Sequence, residues 1–149
     1  MIVVLDQVTK LWALDALFDP PRRITLLPVL DLVPVWNTGV SFGMFSDGGE
    51  TMRYVLTGFA AAVSVALVVW LSRVNERLVA GGLALIIGGA VGNVIDRLRF
   101  GAVVDFVLAH WQGWAWPAFN LADTAITFGV VLLLLDGFRK PGQGPADPT

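Results

Sequence analysis

The sequence lacks cysteine altogether, has a single histidine and carries little charge for its 149 residues. The absence of cysteine excludes disulfide bonds, thiol catalysis and cysteine-ligated metals. One histidine, His110, cannot supply a zinc site, and neither Ser41 nor Ser46 has a histidine near it in sequence, which argues against a Ser–His–Asp triad. The 10 basic and 12 acidic residues give a net charge of −2, which argues against nucleic-acid binding.

The shortage of charge also determines the class of protein. Charged residues make up 15% of the chain and hydrophobic residues 56%, whereas an average soluble domain has about 25% charged residues. The mean hydropathy is +0.71. A disordered chain is excluded because disorder requires low hydrophobicity and high charge. The sequence therefore predicts a single-domain membrane protein, covering residues 1–140.

Gaps between the charged residues locate the membrane spans. A helix needs about 20 mostly apolar residues to cross about 30 Å of hydrocarbon. Residues 54–72, 78–96 and 118–138 meet this condition and predict three transmembrane helices. Residues 1–18 are helical in composition but short of a full crossing. We interpret them as the outer part of a first transmembrane helix whose inner part precedes the sequence given; an interfacial helix is the alternative.

The connection between the first two helices has a different character. Four prolines at positions 20, 21, 28 and 34 exclude a long helix, and the runs 24–27 and 30–36 are apolar or β-branched. A small sheet over residues 22–46, lying on the membrane face, fits this pattern. The tail 141–149 is rich in proline and glycine and is predicted to be disordered. The fold class is therefore mainly α and polytopic, with four transmembrane helices and a small β-sheet between helices one and two.

Most of the remaining polar residues fall at one end of the predicted helices. With four crossings, these residues share one membrane face: Asp6, Gln7, Lys10, Asn37, Asn93, Asp96, Arg97, Asp105, Asn120 and Asp123. Near the same face lie Trp12, Trp36, Trp111, Trp114 and Trp116, with Trp70 near the other, as expected first for interfacial anchors and second for substrate contacts. Ionisable residues at membrane depth are energetically costly and therefore indicate a functional site.

Spacing suggests roles for some of these residues. Asp6 and Lys10 are four residues apart on a helix, which favours a structural ion pair over catalysis. Asp96 and Arg97 are interpreted as a helix-end anchor or a substrate contact. The Gly88-xxx-Gly92 spacing predicts a close contact between helices.

Asp105 and Asp123 differ from the other charged residues because each lies in an apolar segment without a neighbouring cation. Two carboxyl groups brought together share one proton, since like charges at short range drive their pKa values apart. Such a pair supplies a general base and a general acid that activate water against an amide. A magnesium site built from Asp6, Asp96, Asp105 and Asp123 is the alternative use of these carboxylates. His110, beside Trp111, is expected at the membrane–water boundary.

Five motifs in order resemble the signatures of bacterial lipoprotein signal peptidase, the signal peptidase II family. They are DQVTK at 6–10, NTGVSFG at 37–43, GGAVGNVIDR at 88–97, VVDF at 103–106 and PAFNLADTAI at 117–126. Two departures from the family pattern are Ser41, where alanine is usual, and the short first helix.

The resemblance implies a monomeric aspartyl endopeptidase of the bacterial cytoplasmic (inner) membrane, with a β-cradle and active site on the extracytoplasmic face. Its substrate would be a diacylglyceryl-modified prolipoprotein, held among membrane lipids and cut before the lipidated cysteine; globomycin-type antibiotics would inhibit it. No metal or other cofactor is implied. The matching catalytic pair is Asp105 and Asp123. The matching residues that shape the site or contact substrate are Asp6, Lys10, Asn37, Gly43, Asn93, Asp96, Arg97 and Asn120.

Two other classes of function remain open from the residues alone. A small transporter or assembly factor would use the polar cluster for ion or lipid contact and would release no peptide. A metal-dependent lipid hydrolase would lose activity to a chelator and would not require a peptide in its substrate.

Overall fold

A computed structural model describes residues 1–39 and 49–139 of the chain. It confirms the predicted fold class of four helices with a small antiparallel sheet. The elements are α1 (Ile2–Leu17), β1 (Ile24–Leu27), β2 (Leu30–Asn37), α2 (Gly49–Leu71), α3 (Arg77–Phe100), β3 (Val103–Trp111), β4 (Trp114–Ala115) and α4 (Leu121–Arg139). The predicted site residue Gly43, the departure at Ser41 and the predicted disordered tail 141–149 lie outside the described residues.

Three of the helices are long and apolar enough to cross a membrane: Arg53–Leu71, Arg77–Phe100 and Leu121–Phe138. The first of these exposes most of its surface, including Phe59 at 69%, as expected for a helix surrounded by lipid. The helix α1 has 16 residues, a length of about 24 Å. Four membrane-crossing helices were predicted. Among the described residues, three helices are long and apolar enough to cross a membrane.

The helix ends differ from the predicted ones for local reasons. The last helix, predicted over about 118–138, begins later, at Leu121. The reason is a reciprocal cap: Asp123 N–H donates to Asn120 Oδ1 at 3.0 Å, and Asn120 N–H donates to Asp123 Oδ2 at 3.2 Å. The helix α3 extends to Phe100 and ends at Gly101, whose φ of 80° is the left-handed conformation that glycine adopts readily.

The sheet combines strands from two distant parts of the chain. Its order is β1-β2-β3-β4, with antiparallel neighbours, and Val35 of β2 pairs with Asp105 of β3. The predicted cradle between helices one and two is therefore incomplete, because β3 and β4 come from the connection between α3 and α4. The first four residues of β3, from Val103 to Phe106, are all buried. A strand buried on both faces shows no alternation in its sequence, so the pattern did not reveal it.

One face of the sheet packs on α1. Leu32 of β2 and Phe106 of β3 form a buried apolar cluster with Ala13 and Leu17 of the helix. Because neighbouring side chains of a strand point to opposite faces, Asp105 points away from this cluster. The packing of the sheet on α1 therefore turns Asp105 toward the ends of the other helices.

Glycines bring the helices into close contact around this point. A Cβ added at Gly82 would lie 2.9 Å from the carbonyl oxygen of Gly129 on α4, and one at Gly88 would lie 2.9 Å from Ile2 Cβ on α1. Gly92 approaches the Asp6 carboxylate. The predicted helix contact at Gly88 and Gly92 is confirmed, with α1 as the partner.

Gly89→Ala is expected to destabilise the protein by about 1–3 kcal/mol, the usual cost of overpacking a tight contact. The new methyl group would overlap the Ala122 carbonyl oxygen and lie 2.8 Å from Ile126 Cγ1. Thermal unfolding in detergent measures the effect. Gly81→Ala on the same helix is the matched control, because a Cβ there meets nothing within 4 Å. Equal unfolding midpoints for the two variants would contradict the packing.

Candidate active site

The predicted polar residues of the described chain meet where α1, α3 and α4 approach the sheet. Nine of them form one hydrogen-bonded group: Asp6, Gln7, Lys10, Asn37, Asn93, Asp96, Asp105, Asn120 and Asp123. Arg97 makes a different contact and donates to the Gly39 carbonyl at 2.9 Å, at the end of the described part of the first connection. Six residues of the group are almost completely buried, so the cluster lies inside the protein.

Lys10 occupies the centre of a buried ionic cluster. Its Nζ lies 3.0 Å from Asp6 Oδ2 and 2.8 Å from Asp96 Oδ2, and it donates to Asn93 Oδ1 at 2.9 Å. The predicted pair of Asp6 and Lys10 is therefore present. Asp96 is a second partner of the ammonium that the sequence did not indicate, because the two residues are far apart in the chain.

The two carboxylates of this cluster also hold backbone segments in place. Asp6 Oδ1 accepts a hydrogen bond from the Ala122 N–H at 3.0 Å, and Asp96 Oδ2 accepts one from the Val104 N–H at 3.1 Å. Gln7 Nε2 adds a third donor and reaches Asp96 Oδ1 at 2.9 Å. The ionic cluster thus fixes the residues next to Asp105 and Asp123. Gln7, which the sequence placed on the same face without assigning it a role, is part of this cluster.

Asp105 lies on β3 with 1% of its surface exposed. Asn37 Nδ2 donates to one carboxyl oxygen at 2.9 Å, and Asn120 Nδ2 donates to the other at 2.7 Å. Burial raises the pKa of Asp105 to about 7, and the nearby Asp123 carboxylate adds to the rise. The two amide donors favour the ionised form, but burial outweighs them, so this carboxyl group keeps its proton close to neutral pH.

Asp123 is half-buried in the first turn of α4. Asn93 Nδ2 donates to its Oδ1 at 2.9 Å, and the Asn120 backbone N–H donates to its Oδ2. Since Asn93 Oδ1 accepts from Lys10, the orientation of the Asn93 amide is set by the ammonium on one side and the carboxylate on the other. Asn120 reaches both aspartates, one through its side chain and one through its backbone.

Both aspartates are accessible from cavities. Asp105 lines a cavity of about 740 Å³ with β2, and Asp123 lines one of about 430 Å³ along α4. A buried pair of carboxyl groups that opens onto cavities and is held by amides can exchange one proton with water or substrate. This arrangement suits general acid–base chemistry.

The structure does not favour the magnesium alternative. Within residues 1–39 and 49–139, no group of three acidic, histidine or cysteine side chains is arranged to hold a metal ion. Asp6 and Asp96 surround the Lys10 ammonium instead. The four carboxylates of that alternative are thus divided between an ionic cluster and an amide-bound pair.

A second polar cluster lies elsewhere on the sheet and joins β2 and β3 to the residue that precedes β1. Asp31 on β2 accepts hydrogen bonds from Arg23, and its Oδ2 lies 2.7 Å from His110 Nε2 on β3. The hydrogen bond from Arg23 holds the pKa of Asp31 below its usual range. Sequence reasoning missed this cluster, although an acidic residue between Leu30 and Leu32 in a strand was a signal for it. His110 is thus a partner of Asp31; its predicted place at the membrane boundary stays a prediction.

Comparisons with known proteins agree with this geometry. The family model for signal peptidase (SPase) II matches residues 1–139. A lipoprotein signal peptidase of Rhodopseudomonas palustris is 49% identical over 140 residues, covering 90% of this chain and 85% of the relative. One from Pseudomonas fluorescens is 42% identical over 149 residues, covering 98% and 88%.

Two solved structures share the fold, and both are described as a bacterial membrane enzyme determined by the in meso method. The first, at 2.3 Å resolution, has a TM-score of 0.78 and 26% identity, covering 99% of this chain and 90% of its own. The second, at 1.9 Å resolution, has a TM-score of 0.77 and 28% identity, covering 94% and 89%. The chain therefore belongs to the signal peptidase II family and is a membrane-embedded aspartic peptidase.

Proposed function

We propose that this peptidase removes the signal peptide from diacylglyceryl-modified prolipoproteins by cleaving before the lipidated cysteine, with Asp105 and Asp123 activating water. The observation that carries the proposal is the attachment of both aspartates to Asn120, with Asn120 Nδ2 2.7 Å from Asp105 and its backbone nitrogen 3.2 Å from Asp123. Membership of the family supplies the substrate class, and the geometry supplies a pair of carboxyl groups suited to hydrolysis.

The proposed reaction is direct attack of water on the scissile amide. The ionised aspartate removes a proton from water, and the protonated aspartate donates one to the carbonyl oxygen as the tetrahedral intermediate forms. When the intermediate breaks down, one of its hydroxyl groups returns a proton to the ionised aspartate, the carbon–nitrogen bond cleaves, and the leaving nitrogen takes a proton from the other aspartate. The products are a carboxyl group and a free amine, with no acyl-enzyme. Because the two carboxyl groups are coupled, they titrate as a unit.

The asparagines hold the reacting groups in position. The side-chain amides of Asn37 and Asn120 each donate a hydrogen bond to one oxygen of Asp105. The side-chain amide of Asn93 and the backbone N–H of Asn120 do the same for Asp123. The carboxyl groups therefore keep a fixed orientation during both proton transfers. Such preorganisation lowers the barrier because little reorganisation is needed at the moment of reaction.

The proposal includes the location. We place the enzyme in the bacterial inner membrane as a monomer with its site on the extracytoplasmic face, surrounded by membrane lipids. The substrate's diacylglyceryl group stays in the bilayer, so a site at the ends of membrane-spanning helices meets the peptide bond without extracting the lipid. Globomycin-type antibiotics are then expected to compete with substrate.

Purified protein in lipid nanodiscs, incubated with a diacylglyceryl-modified prolipoprotein, tests the function. We expect two peptide products, formed by cleavage of the bond immediately before the lipidated cysteine. Neither a chelator nor the absence of an ion gradient should prevent their formation. Fatty acid or diacylglycerol release that a chelator abolishes would indicate a lipid hydrolase instead. Ion-gradient-dependent transport with no peptide product would indicate a transporter.

The pH dependence should report the protonated member of the pair. Since Asp105 has a pKa raised to about 7, kcat/KM is expected to fall as the pH rises through the neutral range, where the pair loses its shared proton. Asn37→Ala removes an N–H donor that favours the ionised carboxylate, so the descending limb should move to higher pH. Asn75→Ala, in the exposed turn between α2 and α3, is the control. If the descending limb of the pH profile is the same for Asn37→Ala and the wild-type enzyme, this assignment of the protonated aspartate is wrong.

A further inference from the structure

The two cavities that reach the aspartates share one wall. Trp116, Pro117 and Ala118 line both the cavity of about 740 Å³ that contains Asp105 and the cavity of about 430 Å³ that contains Asp123. We refer to them as the sheet cavity and the α4 cavity. A scissile bond at the aspartates would therefore have one cavity on each side, separated by these three residues.

The sheet cavity is built outside the membrane-spanning helices. Val33 and the consecutive residues 35–37 line it from β2, with Val35 and Asn37 on the same face of the strand. Asp105 pairs with Val35 across β3 and belongs to the same cavity. Residues of β2, β3 and β4 form much of its wall, with a carboxyl and an amide among them, which suits an extended polypeptide.

The α4 cavity follows a helix that crosses the membrane. Asp123 and Thr127, four residues apart on one face of α4, line it together with Phe128. Phe128 is 62% exposed on the surface of this apolar helix. A molecule in this cavity therefore has direct access to the hydrocarbon of the bilayer.

Trp116 is held in place between the two cavities. Its backbone N–H donates to the Ala109 carbonyl at 2.8 Å, and its ring lies edge-on to Trp114 with centroids 5.8 Å apart. The strand β4 precedes it and Pro117 follows it, so the backbone on both sides is restrained. Its large side chain, 48% exposed, is the bulkiest part of the shared wall.

We propose that Trp116 is a specificity-determining residue that keeps the acyl chains of the lipidated cysteine in the α4 cavity and the polypeptide in the sheet cavity. The inference rests on the proposed function. The acyl chains cannot leave the bilayer, and the α4 cavity is the one that opens onto it. An apolar signal peptide in the α4 cavity is the competing arrangement, and the experiment below separates the two.

The test compares two substrates of identical sequence, one carrying dipalmitoyl and one dioctanoyl glyceryl groups. The wild-type enzyme should have a lower KM for the dipalmitoyl substrate. Trp116→Ala merges the cavities and should reduce that preference about tenfold, with kcat changing much less, because hydrophobic contacts in binding are lost. Trp116→Phe should retain most of the preference. Trp111→Ala is the matched control, since Trp111 is an exposed tryptophan of the same hairpin and lines neither of these cavities.

Substitutions within each cavity give an independent measurement. Thr127→Leu narrows the α4 cavity and should raise KM more for the dipalmitoyl substrate than for the dioctanoyl one. Val131→Leu, one turn further along α4 and not part of the cavity lining, is its control. Val33→Phe narrows the sheet cavity and should raise KM equally for both lipids.

The outcomes separate the two proposals. If the wild-type enzyme cleaves both substrates but Trp116→Ala and Thr127→Leu keep its chain-length preference, the inference about Trp116 is wrong and the proposed function stands. If Thr127→Leu instead changes how KM depends on the residues of the signal peptide, the signal peptide occupies the α4 cavity and the inference about Trp116 is wrong. If the wild-type enzyme cleaves neither substrate, the proposed function itself fails.

Discussion

Asp105→Asn and Asp123→Asn should each lower kcat for a diacylglyceryl-modified prolipoprotein by about 10³-fold, within the range that general acid–base groups contribute. Asparagine keeps the size of the side chain and can accept one of the two N–H hydrogen bonds made to each carboxyl group, while its own NH2 group faces the other donor. It can neither take up nor release the proton that the mechanism moves. The loss should therefore appear in kcat, with KM changed little.

The two variants should also be similar to each other and to the double variant, because the pair acts as a unit and its contributions are not additive. Asp15→Asn, on the exposed side of α1, is the matched control and should retain full activity. Thermal unfolding of each variant shows whether the fold is intact. Near-normal cleavage by either single variant would remove the pair from the mechanism.

The sequence predicted the two aspartates because charge is scarce in this chain. In a protein with 15% charged residues, an acidic side chain inside an apolar segment is conspicuous, and its energetic cost indicates a function. The same reasoning predicted the meeting of Asp6, Asn93 and Asn120 at one end of the helices. The approximate bounds of three of the four helices followed from the lengths of the apolar segments, which the width of the membrane determines.

Features that depend on contacts between distant segments were not predictable in this way. The strand β3 is an apolar run without alternation, so its pairing with β2 was not visible. The start of α4 was placed too early because the reciprocal cap between Asn120 and Asp123 was not recognised as the helix boundary. The ion pair between Lys10 and Asp96 depends on how α1 packs against α3. Residue spacing along a single helix cannot predict such a contact.

These missed contacts explain how the site is held together. The cap that starts α4 also orients Asp123, and the pairing of β2 with β3 places Asn37 within 2.9 Å of Asp105. Each aspartate is therefore positioned by the same interactions that form its secondary-structure element. A substitution that disturbs either element should impair catalysis without touching a carboxyl group.

Lys10→Met is expected to be the most destabilising single substitution at the site, with a loss of about 3–5 kcal/mol in the free energy of unfolding. The Lys10 ammonium lies within 3.0 Å of Asp6 and 2.8 Å of Asp96, and all three side chains are almost fully buried. Methionine has a similar length and is apolar, so the variant leaves two carboxylates without a counter-ion rather than leaving a cavity. Chemical or thermal unfolding in detergent measures the loss.

The cause can be separated from simple loss of packing by neutralising the carboxylates as well. If uncompensated charge is responsible, Lys10→Met combined with Asp6→Asn and Asp96→Asn should be more stable than Lys10→Met alone, because asparagine still accepts the N–H bonds from Ala122 and Val104. Arg73→Met, in the exposed turn after α2, controls for removal of a cation and should leave stability nearly unchanged. A triple variant less stable than Lys10→Met alone would show that the carboxylates stabilise the fold by their charge even without the ammonium, and the cluster would need a different electrostatic explanation.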